Sequence, residues 1–369
     1  MTDGRLAVLT AYGQPFDVRS YPVPDPGPGA MIVKITESAI CGSDLHMWRG
    51  DAEGIPVPPG GRVMGHEGTG TVFRLGAGVT TDYLGNPLAE GDRIIHSVIV
   101  GCHRCHMCLR GEENLCLNKT VTPPAGAAPY FVGTFADYYY VPAGMPVFRV
   151  PDELRSDVLA PVNCAMGTAT QALISAGCGL GSTVVVQGAG GLGLTAIAMA
   201  KDMGADTVIA FDRIPSRLEI AKEFGADHTV NAAEYATPAE RVSVVHELTR
   251  GRGADIVLEF VGLADLVPEG VAMLRRGGTY VDVGLFFPGR AITFDFSTIV
   301  MSGKRIMGSA MYRPIVLAQV LDFLTRNQGH RPFEKLVSHR FALEDINTAF
   351  AQSEWADQQT PVIRAVLVP

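Results

Sequence analysis

The sequence predicts an α/β chain in two parts, a mostly β domain followed by a doubly wound parallel-sheet domain. Three observations carry this. Residues 1 to about 165 are rich in Gly and Pro, with short apolar runs separated by turn signals. From about 167 to 303, apolar stretches of four to six residues alternate with helical ones. A glycine-rich turn, Gly188-Ala-Gly-Gly-Leu-Gly193, joins the first of those stretches to its helix. At 369 residues the chain exceeds the usual single-domain range, so two cores are expected.

In the first part, Ala30-Met-Ile-Val-Lys-Ile35 and Arg93-Ile-Ile-His-Ser-Val98 read as strands. Pro22-Val-Pro-Asp-Pro-Gly-Pro28 is a stiff surface connection. In the second part, strands are expected at 183–187, 207–211, 255–259 and 279–283, and helices at 191–204 and 214–225. After about 305 come a helix near 314–327, a helical stretch over 343–350, and a closing apolar strand over 362–368 that is expected to return to the first domain. The domain boundaries set by this reading are 1–165, 166–304 and 305–369, with a cysteine-rich lobe at 101–117.

Thirty basic against 38 acidic residues give a net charge of -8, the wrong sign for tracking a phosphate backbone, so no nucleic-acid partner is expected. No apolar run approaches the roughly 20 residues needed to span a bilayer, and the opening Met1-Thr-Asp-Gly-Arg lacks signal-peptide form. A cytoplasmic protein without membrane partners is the expectation. Seven cysteines, mostly in the first half, then read as metal ligands before disulfides.

A lone GxGxxG is weak evidence in a chain with 42 glycines, but here Val184-Val-Val-Gln187 precedes it and a helix follows. Gly188 suits the tight turn, Gly190 lets backbone approach a pyrophosphate, and Gly193 allows helix to pack on strand. Gly191 and Leu192 complete the loop, and the helix start supplies N–H donors. Asp212 ends the second strand about 20 residues on, where a carboxylate accepts from ribose hydroxyls and repels a 2'-phosphate. That favours NAD. The adjacent Arg213 would soften the preference. Val283, ending the strand at 279–283, is grouped with these cofactor contacts.

Cys102, Cys105, Cys108 and Cys116 fall in one 15-residue window where about 0.3 cysteine is expected by chance. Four thiolates at this spacing close a tetrahedron round Zn(II) and leave no position for substrate, which makes the site structural; an iron–sulfur cluster is the metal alternative. His103 and His106 read as solvent-facing neighbours. Cys41, His66 and Cys164 are dispersed but together supply two thiolates and an imidazole, a set that leaves a fourth position open on a Lewis-acidic metal. Spacing does not show that they converge. Cys178 is left over as a structural residue.

Taken together, Gly65-His-Glu-Gly68, Cys41-Gly-Ser-Asp44, the four-cysteine lobe and Gly188 to Gly193 with Asp212 resemble the zinc-containing alcohol dehydrogenases of the medium-chain dehydrogenase/reductase family, over essentially the whole chain. Two cysteines and a histidine are the known ligand set for the catalytic zinc of alcohol dehydrogenases, so that assignment belongs to the resemblance and not to spacing. The resemblance implies a GroES-like catalytic domain and a Rossmann domain, NAD, and two zinc ions per chain. By motif match it assigns Cys41, His66 and Cys164 to catalytic zinc, with Glu67 beside it as an occasional ligand, and the lobe cysteines to structural zinc. It gives Ser43 the role of first proton acceptor and His46 that of relay. It sets Thr168 against the nicotinamide, Arg217 near the adenosine ribose and Arg364 on the pyrophosphate.

The expected reaction is reversible oxidation of an alcohol to a carbonyl compound. Polyol dehydrogenases of the family tend to carry a carboxylate where Cys164 stands, which disfavours a sugar alcohol. Trp48, Ile55, Phe286, Phe287, Met311 and Tyr312 are candidate pocket residues for a medium or bulky secondary alcohol. The competing readings are a polyol or sugar-alcohol dehydrogenase, a zinc-independent quinone or enoyl reductase, a non-enzymatic NAD-binding protein, and a zinc-ribbon interaction module. By analogy the chain forms a homodimer or homotetramer, with an apolar strand near 292–301 as one contact.

Overall fold

The computed structural model describes residues 2–51, 55–118, 123–286, 288–354, 360 and 362–369. The chain divides into two compact units, Met1–Cys164 with Tyr312–Gln328 and Leu336–Pro369, and Ala165–Met311 with Gly329–Lys335.

The first unit opens with β1 (Asp3–Leu9) and β2 (Phe16–Pro22), then β3 (Met31–Ala39), α1 (Gly42–Arg49), β4 (Arg62–Val63), β5 (Glu67–Leu75) and β6 (Arg93–His96). A single turn, α2 (His106–Leu109), lies in the cysteine-rich segment, and β7 (Tyr138–Val141) and β8 (Val147–Arg149) follow. β3 is the hub. It pairs antiparallel with β5 from Met31↔Leu75 to Ala39↔Glu67 and with β7 along its other edge. Val33 and Ile35 are buried while Lys34 and Thr36 are exposed, and that alternation fixes the register, because a one-residue slip would exchange them. Register here has a chemical consequence. It sets Glu67 opposite Ala39, so the turn after β3 and the turn before β5 meet at one end of the sheet.

The second unit runs α3 (Gly167–Ala176), β9 (Thr183–Gln187), α4 (Gly191–Asp202), β10 (Thr207–Asp212), α5 (Pro215–Phe224), β11 (His228–Asn231), α6 (Pro238–Leu248), β12 (Ala254–Glu259), α7 (Leu266–Met273), β13 (Leu274–Asp282), α8 (Ser297–Ser302) and β14 (Arg305–Gly308). All strand pairings are parallel, in the order β11-β10-β9-β12-β13-β14. That is the Rossmann order, in which ligands bind beyond the carboxyl ends of the strands. β9 is buried throughout, as a central strand covered on both faces must be. Helix ends follow local chemistry: α5 starts on Pro215 and stops at Gly225 with φ +106°, while Thr237 and Glu240 cap α6 reciprocally.

The chain then returns to the first unit with α9 (Ile315–Asn327), β15 (His339–Ala342), α10 (Ile346–Ser353) and β16 (Ala365–Val368). β16 lies between β15 and β3. α9 buries Val316, Leu317, Val320, Leu321, Phe323 and Leu324, spaced as one helical face. Each such side chain contributes roughly 1.5–3 kcal/mol on leaving water.

The four strands and two helices expected in the second unit are present, the first strand with the expected ends and the others shifted by up to five residues. Three expectations need correction. The stretch near 292–301 holds no strand. The Asp295 carboxylate accepts from Ser297 N–H and its carbonyl accepts from the Thr298 hydroxyl, which turns 297–302 into helix. The return to the first unit comes at Tyr312 instead of 305, because β14 pairs with β13 as the sixth parallel strand. The final strand begins at Ala365, since the N–H groups of Ile363 and Arg364 bond the Ser338 hydroxyl in place of a sheet partner.

Candidate metal centres and nucleotide site

Cys41, His66, Glu67 and Cys164 converge, their ligand atoms all within 4.8 Å of one another. Cys41 precedes α1 and His66 precedes β5, so the β3–β5 register brings them together. Cys164 arrives on a π-turn over Val162–Met166. The neighbouring Asn163 is fully buried and pins that turn to the sheet: its amide donates to the Gly68 carbonyl and its oxygen accepts from His96 N–H at 3.4 Å. The Tyr312 hydroxyl donates to the Asn163 carbonyl.

The donor set fits a divalent cation. Cys41 Sγ and Cys164 Sγ stand 4.0 Å apart, close to the ~3.8 Å edge of a tetrahedron with zinc–sulfur bonds near 2.3 Å. His66 Nε2 is buried with no hydrogen-bond partner among the described residues. An unpaired ring nitrogen there is costly unless a ligand takes its lone pair. On the other side His66 Nδ1 lies 3.4 Å from the Asp44 carboxylate, whose second oxygen accepts from Cys41 N–H at 2.9 Å. Asp44 thus orients both ligands, as carboxylates behind metal-bound histidines do.

The electrostatics agree. Hydrogen bonding with Cys164 and the neighbouring His66 hold the Cys41 thiol well below its usual range, while the Cys164 thiol is pushed up by Cys41 and by burial. Two thiols sharing one negative charge is what a cation relieves. Glu67 is fully buried, and burial raises its carboxyl while the Arg364 guanidinium opposes the rise. Arg364, which the resemblance places on a pyrophosphate, is ion-paired with Glu67 here.

The second cluster joins Cys102, Cys105, Cys108 and Cys116. Cys105 Sγ lies 3.5 Å from Cys108 Sγ and 3.9 Å from Cys116 Sγ, and backbone N–H groups of Cys102 and Asn118 point at Cys116 Sγ at 3.4 and 3.3 Å. All four thiols are free. The Asn118 amide and backbone donors lower Cys102 to about 5, whereas burial and the crowding thiols push Cys108 up to about 12. A bound cation would let all four ionise, as in a closed four-thiolate metal shell. His103 and His106 are exposed.

Ser43 and His46 sit three residues apart on α1, hence on one helix face, both half-buried. His46 Nδ1 lies 2.6 Å from the Asp51 carboxylate.

In the second unit, Gly188 has φ +96° and a side chain at Gly193 would strike the Gly188 carbonyl, so both are needed by the turn itself. A Cβ on Gly190 would meet nothing within 4 Å, leaving an open face above the start of α4. Asp212 closes β10, its carboxylate accepting from Ala189, Arg213 and Ile214 N–H groups at 2.7–2.9 Å. Arg217 Nη1 is 3.9 Å from it, and the Arg213 side chain is exposed. Gly191 and Leu192 form the first turn of α4, and Val283 follows β13. Thr168 is buried near the start of α3 with its hydroxyl unpartnered among the described residues.

Of the candidate pocket residues, two are corrected. Trp48, half-buried, packs against Phe350 and donates its indole N–H to the Gln14 carbonyl; Tyr312 is 1% exposed and clamps Asn163. Ile55 and Phe286 are about half exposed, Met311 adopts φ +56°, and Phe287 lies outside the described residues. Sequence reasoning misses Asp44 and Asn163. Asp44 is recognisable as the acidic third residue of the helix started by Cys41; nothing in the sequence marks Asn163.

Two family models match the chain, an alcohol dehydrogenase GroES-like domain over residues 27–152 and a zinc-binding dehydrogenase domain over 191–326. The chain is 35% identical to the 5-exo-hydroxycamphor dehydrogenase of Pseudomonas putida over 100% of both chains. It superposes on an alcohol dehydrogenase of Thermotoga maritima with a TM-score of 0.91, at 30% identity and 100% coverage of both. A protein of Sinorhizobium meliloti 1021, described as a zinc-binding dehydrogenase and solved with NADP bound, is 26% identical with a TM-score of 0.85, again covering 100% of both. The chain belongs to the zinc-binding alcohol dehydrogenase family: an oxidoreductase that acts on an alcohol with a nicotinamide cofactor and zinc. No helix among the described residues is long and apolar enough to cross a membrane.

Proposed function

We propose that the protein oxidises a bulky secondary alcohol, cyclic or aromatic, to its ketone using NAD, with one zinc ion in each cysteine cluster, as a homodimer or homotetramer. The observation that carries the catalytic part is the convergence of Cys41, His66 and Cys164 round an unpaired, buried His66 Nε2. Full-length similarity to a dehydrogenase whose named substrate is a hydroxyl on a bicyclic ketone supports the bulky class. A thiol at Cys164 speaks against polyols. The Asp212 carboxylate at the end of β10 supports NAD. Exposed Arg213 and the NADP-bound relative are the reasons to measure both cofactors.

When bound, zinc supplies Lewis acidity at the alcohol oxygen and the nicotinamide ring takes up the hydride. The chain does the rest. Ser43 accepts the hydroxyl proton and His46 carries it outward, while Asp44 holds His66 and Arg364 balances the buried Glu67 charge. Thr168 and the Gly188–Gly193 turn, with Gly191, Leu192, Asp212, Arg217 and Val283, orient the cofactor.

Metal content per chain, followed by reduction of NAD and NADP with a panel of cyclic, aromatic, linear and polyol substrates, tests this reading. Two zincs and chelator-sensitive oxidation of cyclic or aromatic secondary alcohols are expected. One zinc without alcohol oxidation would sink the catalytic assignment.

A further inference from the structure

The end of α1 carries a charge network that the reaction scheme leaves unused. His46 Nδ1 is 2.6 Å from Asp51 Oδ2. Arg49 donates to the same oxygen from Nε at 3.0 Å and from Nη2 at 2.9 Å, and reaches Glu354 Oε1 through Nη1 at 2.6 Å. Main chain locks the pair as well. Gly50 adopts φ +88°, its N–H bonds the Met47 carbonyl, and Asp51 N–H bonds the His46 carbonyl at 3.0 Å, a helix ending that fixes the main chain at Asp51 beside His46. A side chain on Gly50 would press on the Tyr12 ring.

Two neighbours compete for Nδ1, since Arg49 Nη2 also lies 2.9 Å from it. Chemistry decides between them. The His46 and Arg49 hydrogen bonds hold the Asp51 carboxyl below its usual range against burial, so Asp51 is an anion and can only accept. A ring nitrogen 2.6 Å from an anionic oxygen must carry the proton, and Arg49 then gives its own to the carboxylate. Glu354 neutralises Arg49. Among the described ion pairs, Asp51, which faces His46, with Arg49 and Glu354 behind it sums to one negative charge.

Resting on the relay role given to His46 above, we propose that Asp51, braced by Arg49 and Glu354, is a positioning residue that fixes the His46 proton on Nδ1 and leaves Nε2 as the nitrogen that carries the transferred proton. In the step, Nε2 of the neutral ring accepts a proton to give imidazolium, and the same proton leaves Nε2 for water. Asp51 stays ionised throughout and stabilises the cation.

The test compares holoenzyme with Asp51→Asn and Asp51→Glu variants, using nitrogen-15 NMR of labelled histidine to read the His46 tautomer and pKa, beside zinc content and the pH profile. Asp51→Asn is expected to keep both zincs, lose the single Nδ1–H tautomer, and lower the His46 pKa by about one pH unit. It should cut kcat for alcohol oxidation roughly tenfold at unchanged KM for NAD, less than the ~10²–10⁴-fold of a whole general base. Asp51→Glu should recover part of this. An unchanged tautomer and pKa in Asp51→Asn would overturn the proposal. His46→Gln separates the two layers: normal turnover there would remove the relay and with it any catalytic meaning of Asp51, whereas reduced turnover with an unaltered tautomer in Asp51→Asn would remove Asp51 alone.

Discussion

A methyl group on Gly193 would run into the Gly188 carbonyl, one on Gly188 would sit at φ +96°, and one on Gly190 would touch no protein atom within 4 Å. Of the three, Gly190 alone lacks a reason inside the protein, which fits the cofactor-facing role proposed for it. Gly190→Ala should therefore leave thermal unfolding of the cofactor-free protein within about 0.5 kcal/mol of the parent while weakening nicotinamide nucleotide binding about tenfold or more. Gly193→Ala should destabilise the fold itself. Calorimetry on both separates them. Glu259, at the end of β12, makes a second residue-scale case. Burial, with Asp282 nearby, pushes its carboxyl up to about 7, and one oxygen is unpartnered among the described residues. In the folded chain it holds a proton that the unfolded chain has lost above about pH 4.5, so stability falls as pH rises from about 4.5 to about 7 and then levels. Glu259→Gln should remove that slope, and melting temperatures of variant and parent should diverge in the variant's favour by a few degrees between about pH 5 and 8. Parallel slopes would show that Glu259 ionises normally. At this scale the candidate metal ligands are readable because cysteine and histidine are rare enough for clustering to mean something. Asn163 is not, since an amide acts at the site only through a geometry that sequence does not carry.

Among the elements, the central strands and long helices are legible because they answer to local rules: β9 and β12 are short β-branched runs, and α9 repeats every three to four residues. The short outer strands β11 and β14 are not. His228-Thr-Val-Asn231 and Arg305-Ile-Met-Gly308 are only four residues each, and edge position exposes them enough to blur any alternation. The cysteine lobe is the reverse case, a segment with few apolar contacts that the proposed metal would hold: α2 is one turn and buries Cys108 alone. Cys105→Ser should thus lower the metal count by one and make the segment near residues 101–117 the first site of protease cleavage, while the Cys41–His66–Cys164 centre retains its ion. Loss of both ions would show the two centres to be coupled through folding.

For the whole molecule, the parallel sheet ends on β14 with one edge unpaired among the described residues, and nearby Phe296, Val300 and Met301 are 66%, 69% and 73% exposed. An apolar patch beside an open strand edge is where self-association is expected. Replacing Val300 and Met301 together with Glu should move the protein from dimer or tetramer toward monomer in sedimentation velocity, with nucleotide binding kept. An unchanged sedimentation coefficient would place the contact elsewhere. Apolar content alone marks this neighbourhood in the sequence but suggests a strand where a helix stands, because Asp295 acts through a side-chain turn that hydrophobicity does not register. The position of β16 bears on how the molecule is made. Residues 165–311 form the bulk of one unit, so a ribosome releases nearly all of it in one stretch, whereas the first unit needs Arg364 and the strand after it, inserted between β15 and β3. Until Arg364 emerges, Glu67 lacks its ion-pair partner, and during synthesis the second unit, through Lys335, is released before the first can close.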